Sequence, residues 1–113
     1  MIFVFGSNRQ GRHGAGATYH ARSKYHAEYG VAEGPTGEAY AIITKELRPE
    51  YPPVTLDEVR EGVEKFLEYA RTHYDLTFQV TRIGCGLAGF REEEIAPLFS
   101  EAPYNCVLPE GWR

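Results

Sequence analysis

No stretch of the chain approaches the length of a membrane span: its apolar residues come in short runs, whereas a spanning helix needs about 20 in succession. Cysteine is scarce as well. Cys85 and Cys106 are the only two, far apart and without a CxxC pair, so neither a disulfide framework nor a zinc site is expected. His20, His26 and His73 fall on expected helices with no acidic or cysteine partner at ligand spacing, and no metal or other cofactor is expected. An excess of positive charge is also lacking. Twelve basic residues against 16 acidic ones leave a formal charge of −4, which argues against a broad electrostatic grip on nucleic acid. A local phosphate site survives that argument, because backbone N–H groups bind anions without any net charge.

What is present is ordinary for a globular protein, with 42% hydrophobic and 25% charged residues. A chain of 113 residues has room for one core, so residues 1–113 are read as a single domain. The opening apolar run Met1 to Phe5 is too short for a signal peptide and has no basic region before it. It reads as a strand, and the protein as cytoplasmic.

Ile2 to Phe5 is apolar, β-favouring and halted by Gly6-Ser7-Asn8, which suits a central strand buried on both faces. After the glycine-rich segment Gly11 to Gly16, a helix is expected over Ala17 to Tyr29, closed by Gly30. Gly30 to Gly37 is turn-rich, with room for a short edge strand or hairpin. Ala39 to Thr44 reads as a second buried strand, followed by a loop that Pro49, Pro52 and Pro53 keep irregular. Thr55-Leu-Asp-Glu58 is a capping box, and Leu56, Val59, Val63, Phe66, Leu67, Ala70 and Tyr74 follow at helical spacing. Thr77 to Ile83 is a third strand, ending in Gly84-Cys-Gly-Leu-Ala-Gly89. A short helix over Glu92 to Ser100 opens on three glutamates that suit its positive end, and Asn105 to Leu108 closes the chain as a strand. Alternating strands and helices predict an α/β fold: a three-layer α/β/α domain with a mostly parallel sheet.

Ligands of such sheets bind beyond the carboxyl ends of the strands, where this chain places two glycine-rich loops. Gly11, Gly14 and Gly16 precede a helix and leave backbone N–H groups unobstructed; Gly84 to Gly89 can enclose a diphosphate from the other side. The spacing departs from the dinucleotide fingerprint, and the Gly-Lys-Ser/Thr ending of a P-loop is absent, which excludes a nucleoside triphosphatase of that kind.

Ile42-Ile-Thr-Lys45, a capped helix and then Thr81-Arg-Ile-Gly-Cys-Gly-Leu87 resemble the core of macrodomains, most closely the branch of the terminal ADP-ribose protein glycohydrolase. Asn8 followed by Gly14-Ala-Gly-Ala17 is similar to the asparagine and glycine-rich helix start of that fold. The resemblance covers Ile2 to Leu108 and implies binding of ADP-ribose or a related NAD-derived nucleotide. Asn8 would bond the distal ribose; Gly14, Ala15, Gly16 and Ala17 would border ribose and diphosphate; Gly84, Cys85, Gly86, Leu87, Ala88 and Gly89 would wrap the phosphates. His13 is a candidate at the cleft mouth, and Phe90, directly after the second loop, a candidate for stacking on the base. Lys45 matches the lysine that attacks the anomeric carbon in the glycohydrolase branch. The aspartate expected to partner it is replaced by Ala88.

Two function classes follow. The first is a binding protein for an ADP-ribose-like nucleotide, similar in its compactness to phage or bacterial accessory proteins that sequester a signalling nucleotide. The alternative is an ADP-ribosyl hydrolase acting through Lys45 or through a water positioned by Asn8. A more distant resemblance, carried by Phe5-Gly-Ser, is to Rossmann-like nucleotide N-glycosidases, whose arginine and glutamate signature this chain lacks.

Overall fold

The computed structural model describes residues 1–14 and 16–113. Its elements run β1 (Ile2–Asn8), α1 (Gly16–Tyr25), β2 (Gly34–Thr36), β3 (Ala39–Lys45), α2 (Leu56–Thr72), β4 (Phe78–Val80), α3 (Glu92–Ile95), a 3-10 turn (Ala96–Phe99) and β5 (Cys106–Val107). They form one five-stranded sheet ordered β2-β3-β1-β4-β5. β1 is parallel to both neighbours and β4 is parallel to β5. Only β2 is antiparallel, pairing with β3 as an edge strand.

Successive side chains of β1 and β3 supply two different cores. Phe3, Phe5, Ala39 and Ala41 pack with Ala21 of α1 on one face. Val4, Tyr40 and Ile42 join Phe78, Val80 and the α2 residues Val59, Val63, Phe66 and Ala70 on the other. This alternation is the period-2 geometry of a strand buried on both sides, and it places helices on both faces of the sheet. The radius of gyration is 12.9 Å, close to the ~13 Å of a compact domain of this length. No helix of the described residues is long and apolar enough to cross a membrane.

α2 begins as its sequence requires. The Thr55 hydroxyl accepts from the Glu58 amide at 3.2 Å, and the Glu58 carboxylate accepts from the Thr55 amide at 2.9 Å. At the other end, the Asn105 amide nitrogen approaches the carbonyls of Ala70, His73 and Leu76 at 3.0, 3.2 and 3.0 Å. A buried side chain just before β5 thus adds a donor at the carboxyl end of α2, where the Ala70 and His73 carbonyls accept from backbone amides as well.

Four elements are shorter than their sequences suggest, the last strand, β5, spanning Cys106–Val107 rather than Asn105 to Leu108. α1 stops at Tyr25 rather than Tyr29, since His26 turns to a φ of 60° and the Glu38 amide takes the Tyr25 carbonyl at 2.8 Å. β4 ends at Val80 because Thr81 turns its amide and its hydroxyl onto the Val4 carbonyl, at 3.1 and 2.8 Å. The helix expected over Glu92 to Ser100 tightens to 3-10 geometry at Ala96, one residue before Pro97, whose missing N–H removes an α-helical bond.

Candidate functional site

The carboxyl ends of β1, β3 and β4 meet the start of α1 around a cleft of about 510 Å³. Its position follows from the strand order: from β1 the chain moves outward to β3, then crosses back to place β4 on the other side. At such a reversal the loops leaving neighbouring strands diverge and leave a crevice. A volume of this size accommodates a small organic ligand.

Of the residues expected in a site, Asn8, Gly14, Gly16, Ala17, Lys45, Gly84, Gly86, Leu87 and Ala88 all line this cleft. Ala15 lies outside the described residues. Four others are placed differently. The His13 side chain is fully buried, with its ring against the edges of Phe5 and Tyr29 and Nε2 3.1 Å from the Val31 carbonyl. It supports the loop from beneath instead of standing at the mouth. Cys85 packs against the core; its thiol donates to the Ile83 carbonyl at 3.4 Å, and burial pushes its pKa up, with Glu92 adding to the shift. That disfavours the thiolate. Phe90 turns inward to the same core, where its ring faces Gly84, so it offers no stacking face to the cleft. Gly89 serves the turn, donating its amide to the Gly86 carbonyl at 3.0 Å.

Asn8 has two employments. Its Nδ2 donates to the Arg12 carbonyl and its Oδ1 accepts from the Arg12 amide, both at 2.9 Å, which closes the loop after β1 into a tight ring. A primary amide carries two N–H donors and two acceptor sites, so one of each remains for a ligand. Gly11 completes the same ring. It adopts a φ of +67°, and a Cβ there would stand 2.4 Å from the Gly30 carbonyl oxygen.

The feature that sequence reasoning missed is the charge of the lining. Its charged side chains are Arg12, Lys45 and Arg82, all positive; among the described residues no carboxylate lines the cleft. In a chain with a net charge of −4, this is a local reversal of sign. Arg82 is engaged, pairing with Glu92 and donating to the Glu110 carbonyl at 3.0 Å. Arg12 is exposed and Lys45 half-buried, and among the described residues neither side chain forms an ion pair or hydrogen bond. Arg12 belongs to no motif and Arg82 has no assigned role within its own, and only the fold brings the two to Lys45.

Backbone donors add to this field. The amino-terminal end of α1 opens on the cleft through Gly16 and Ala17, the end where helix N–H groups lack intrahelical acceptors and the dipole is positive. Opposite, the amides of Gly86, Leu87 and Ala88 donate to no acceptor among the described residues, whereas Cys85, Gly89 and Phe90 on either side are bonded. The cleft floor is different: the hydroxyls of Ser7, Thr44 and Thr81 all donate to backbone carbonyls.

A polar cluster beside the cleft fixes the loop after β3. The Glu46 side chain is 1% exposed and accepts from Gln10 at 2.6 Å, Arg9 at 3.1 Å, and the Arg48 amide and Nε at 3.0 and 3.1 Å. These bonds, led by the Arg48 side chain, hold its carboxyl down at about 2. Gln10 also accepts from the Leu47 amide at 3.0 Å, tying this loop to the one after β1.

No protein-family model and no curated protein matches the chain. Its fold does occur among solved structures. A protein of unknown function from Bacteroides thetaiotaomicron superposes with a TM-score of 0.59 at 20% identity, over 88% of this chain and 79% of that one. At that identity the likeness is one of fold.

Proposed function

We propose that the cleft binds ADP-ribose or a related NAD-derived nucleotide and holds its diphosphate between the start of α1 and the Gly86–Ala88 amides. The observation that carries this reading is the lining, in which every charged side chain is cationic, facing backbone donors on two sides. Such a site is complementary to a compact polyanion. Asn8, at the end of β1, then offers its remaining N–H and lone pair to a ribose.

The reading is one of binding rather than turnover. A nucleophilic Lys45 needs a neutral amine and a group to carry the proton away. Ala88 occupies the place of the expected acid, and among the described lining residues there is no carboxylate or imidazole. Capture of a free signalling nucleotide is the role that fits binding of this kind.

Calorimetric titration with ADP-ribose and adenosine, at low and high salt, tests the proposal. ADP-ribose is expected to bind more tightly than adenosine, with an affinity that falls as salt rises and falls further in Arg12→Gln and Lys45→Gln. Equal binding of the two compounds, or binding of neither, contradicts it. Release of free ADP-ribose from a modified acceptor by the parent protein, lost in Lys45→Ala, favours the hydrolase instead.

A further inference from the structure

Resting on that reading, we infer that Leu47 and Leu87 receive the base of the nucleotide at the cleft rim, and that the site does not select adenine over other bases. Leu47 and Leu87 both line the cleft while remaining 38% and 79% exposed. Among the described residues neither belongs to a core cluster, so their exposed apolar surface is left to the cleft. Leu47 is nonetheless held in place: its amide is bound to Gln10, and Gln10 is bound to the buried carboxylate of Glu46. Leu87 sits on the loop whose free amides face the proposed diphosphate. A ligand with its phosphates at those amides carries its base outward, and leucine methyl groups cover the face of such a ring through dispersion and apolar burial.

Tolerance toward the base follows from the donor and acceptor inventory. Adenine presents an amino group that needs an acceptor, whereas guanine and hypoxanthine present a carbonyl oxygen at the same ring position. The cationic side chains of the cleft, Arg12 and Lys45 among them, are donors only. The lining hydroxyls with accepting lone pairs belong to strand ends and the first turn of α1, where Ser7, Thr44 and Thr18 are 2%, 5% and 8% exposed, at the floor and not at the rim. With no aromatic ring among the described lining residues, stacking strength does not discriminate among bases either.

The test is calorimetric titration of ADP-ribose, GDP-ribose and inorganic pyrophosphate into the parent protein and into Leu47→Ser and Leu87→Ser, whose exposed side chains lie outside the core. ADP-ribose and GDP-ribose are expected to bind within about threefold of one another. Each variant is expected to weaken both by about fivefold, and Leu47→Ser to leave pyrophosphate binding unchanged. A preference for ADP-ribose of tenfold or more overturns the base tolerance, and unchanged ADP-ribose affinity in both variants overturns the leucine site. Either result leaves the nucleotide reading intact. Failure of ADP-ribose to bind the parent protein at all removes that reading, and this inference with it.

Discussion

Gly84 and Gly86 stand two residues apart in one loop, and a single methyl group added to each should have opposite consequences. Gly84 adopts a φ of +73°, and its added Cβ would lie 3.2 Å from Phe90 Cδ2 and 3.5 Å from Ile95 Cδ1. A left-handed conformation costs a residue with a side chain about 1–2 kcal/mol. The shift forced on Phe90 adds up to ~1 kcal/mol, and reduced freedom of the unfolded chain returns about 0.4–1 kcal/mol. The sum is a loss of ~1.5 kcal/mol, or roughly 6 °C in Tm for a domain of this size. Gly86 has no such φ, and nothing lies within 4 Å of the position its Cβ would take. Gly86→Ala should therefore melt within a few degrees of the parent or slightly above it. The methyl group would stand beside an uncommitted amide on the cleft wall, where a phosphate must approach the backbone closely, and ADP-ribose affinity should fall tenfold or more. Thermal denaturation and calorimetric titration of both variants separate scaffold from site. A Gly86→Ala protein that binds ADP-ribose as tightly as the parent, or a Gly84→Ala protein with an unchanged Tm, would refute the reasoning.

Three further outcomes are expected. The carboxyl of Glu46 is held at about 2 against an ordinary 4.5, so its contribution to stability is complete above pH ~4.5 and is lost as pH falls through ~2; the gap between melting curves of Glu46→Gln and the parent should be largest at pH 7 and shrink steadily as pH falls from ~4.5 toward ~2, and a gap independent of pH would count against it. Asn105→Ala should cost about 1–2 kcal/mol in urea denaturation, because the Leu76 carbonyl loses its side-chain donor while those of Ala70 and His73 keep only a backbone partner; a change below ~0.5 kcal/mol would show that another donor takes over. His13→Ala should cost ~3 kcal/mol by opening a cavity between Phe5 and Tyr29, a value that denaturant titration reads directly.

The parts legible in the sequence were those governed by neighbours along the chain. The capping box at Thr55 and Glu58 needs only three residues' separation, and the α2 face from Val59 to Ala70 only helical periodicity. The buried strands β1 and β3 announced themselves as short apolar runs. Other features depend on partners distant in sequence. α1 ends where the Glu38 amide claims its carbonyl, which no local pattern encodes. His13 stands in a polar, glycine-rich segment that reads as solvated, yet tertiary packing encloses it completely. Phe90 follows a glycine loop as a stacking residue would, but its amide is bonded to the Gly84 carbonyl and its ring packs over Gly84 against the core. The same limit hid the cationic lining: Arg12 and Arg82 are 70 positions apart, and their shared field exists only once β1 and β4 are adjacent.

In the proposed function, backbone amides and cations around one cleft receive an ADP-ribose-like nucleotide. Amide chemical-shift mapping of the 15N-labelled protein during titration with ADP-ribose tests it most directly. The largest, saturable shifts are predicted at Gly16, Gly86, Leu87 and Ala88, with the Arg12 and Lys45 amides following. Absence of shifts at these amides, or saturable shifts confined to another face of the sheet, would contradict the account.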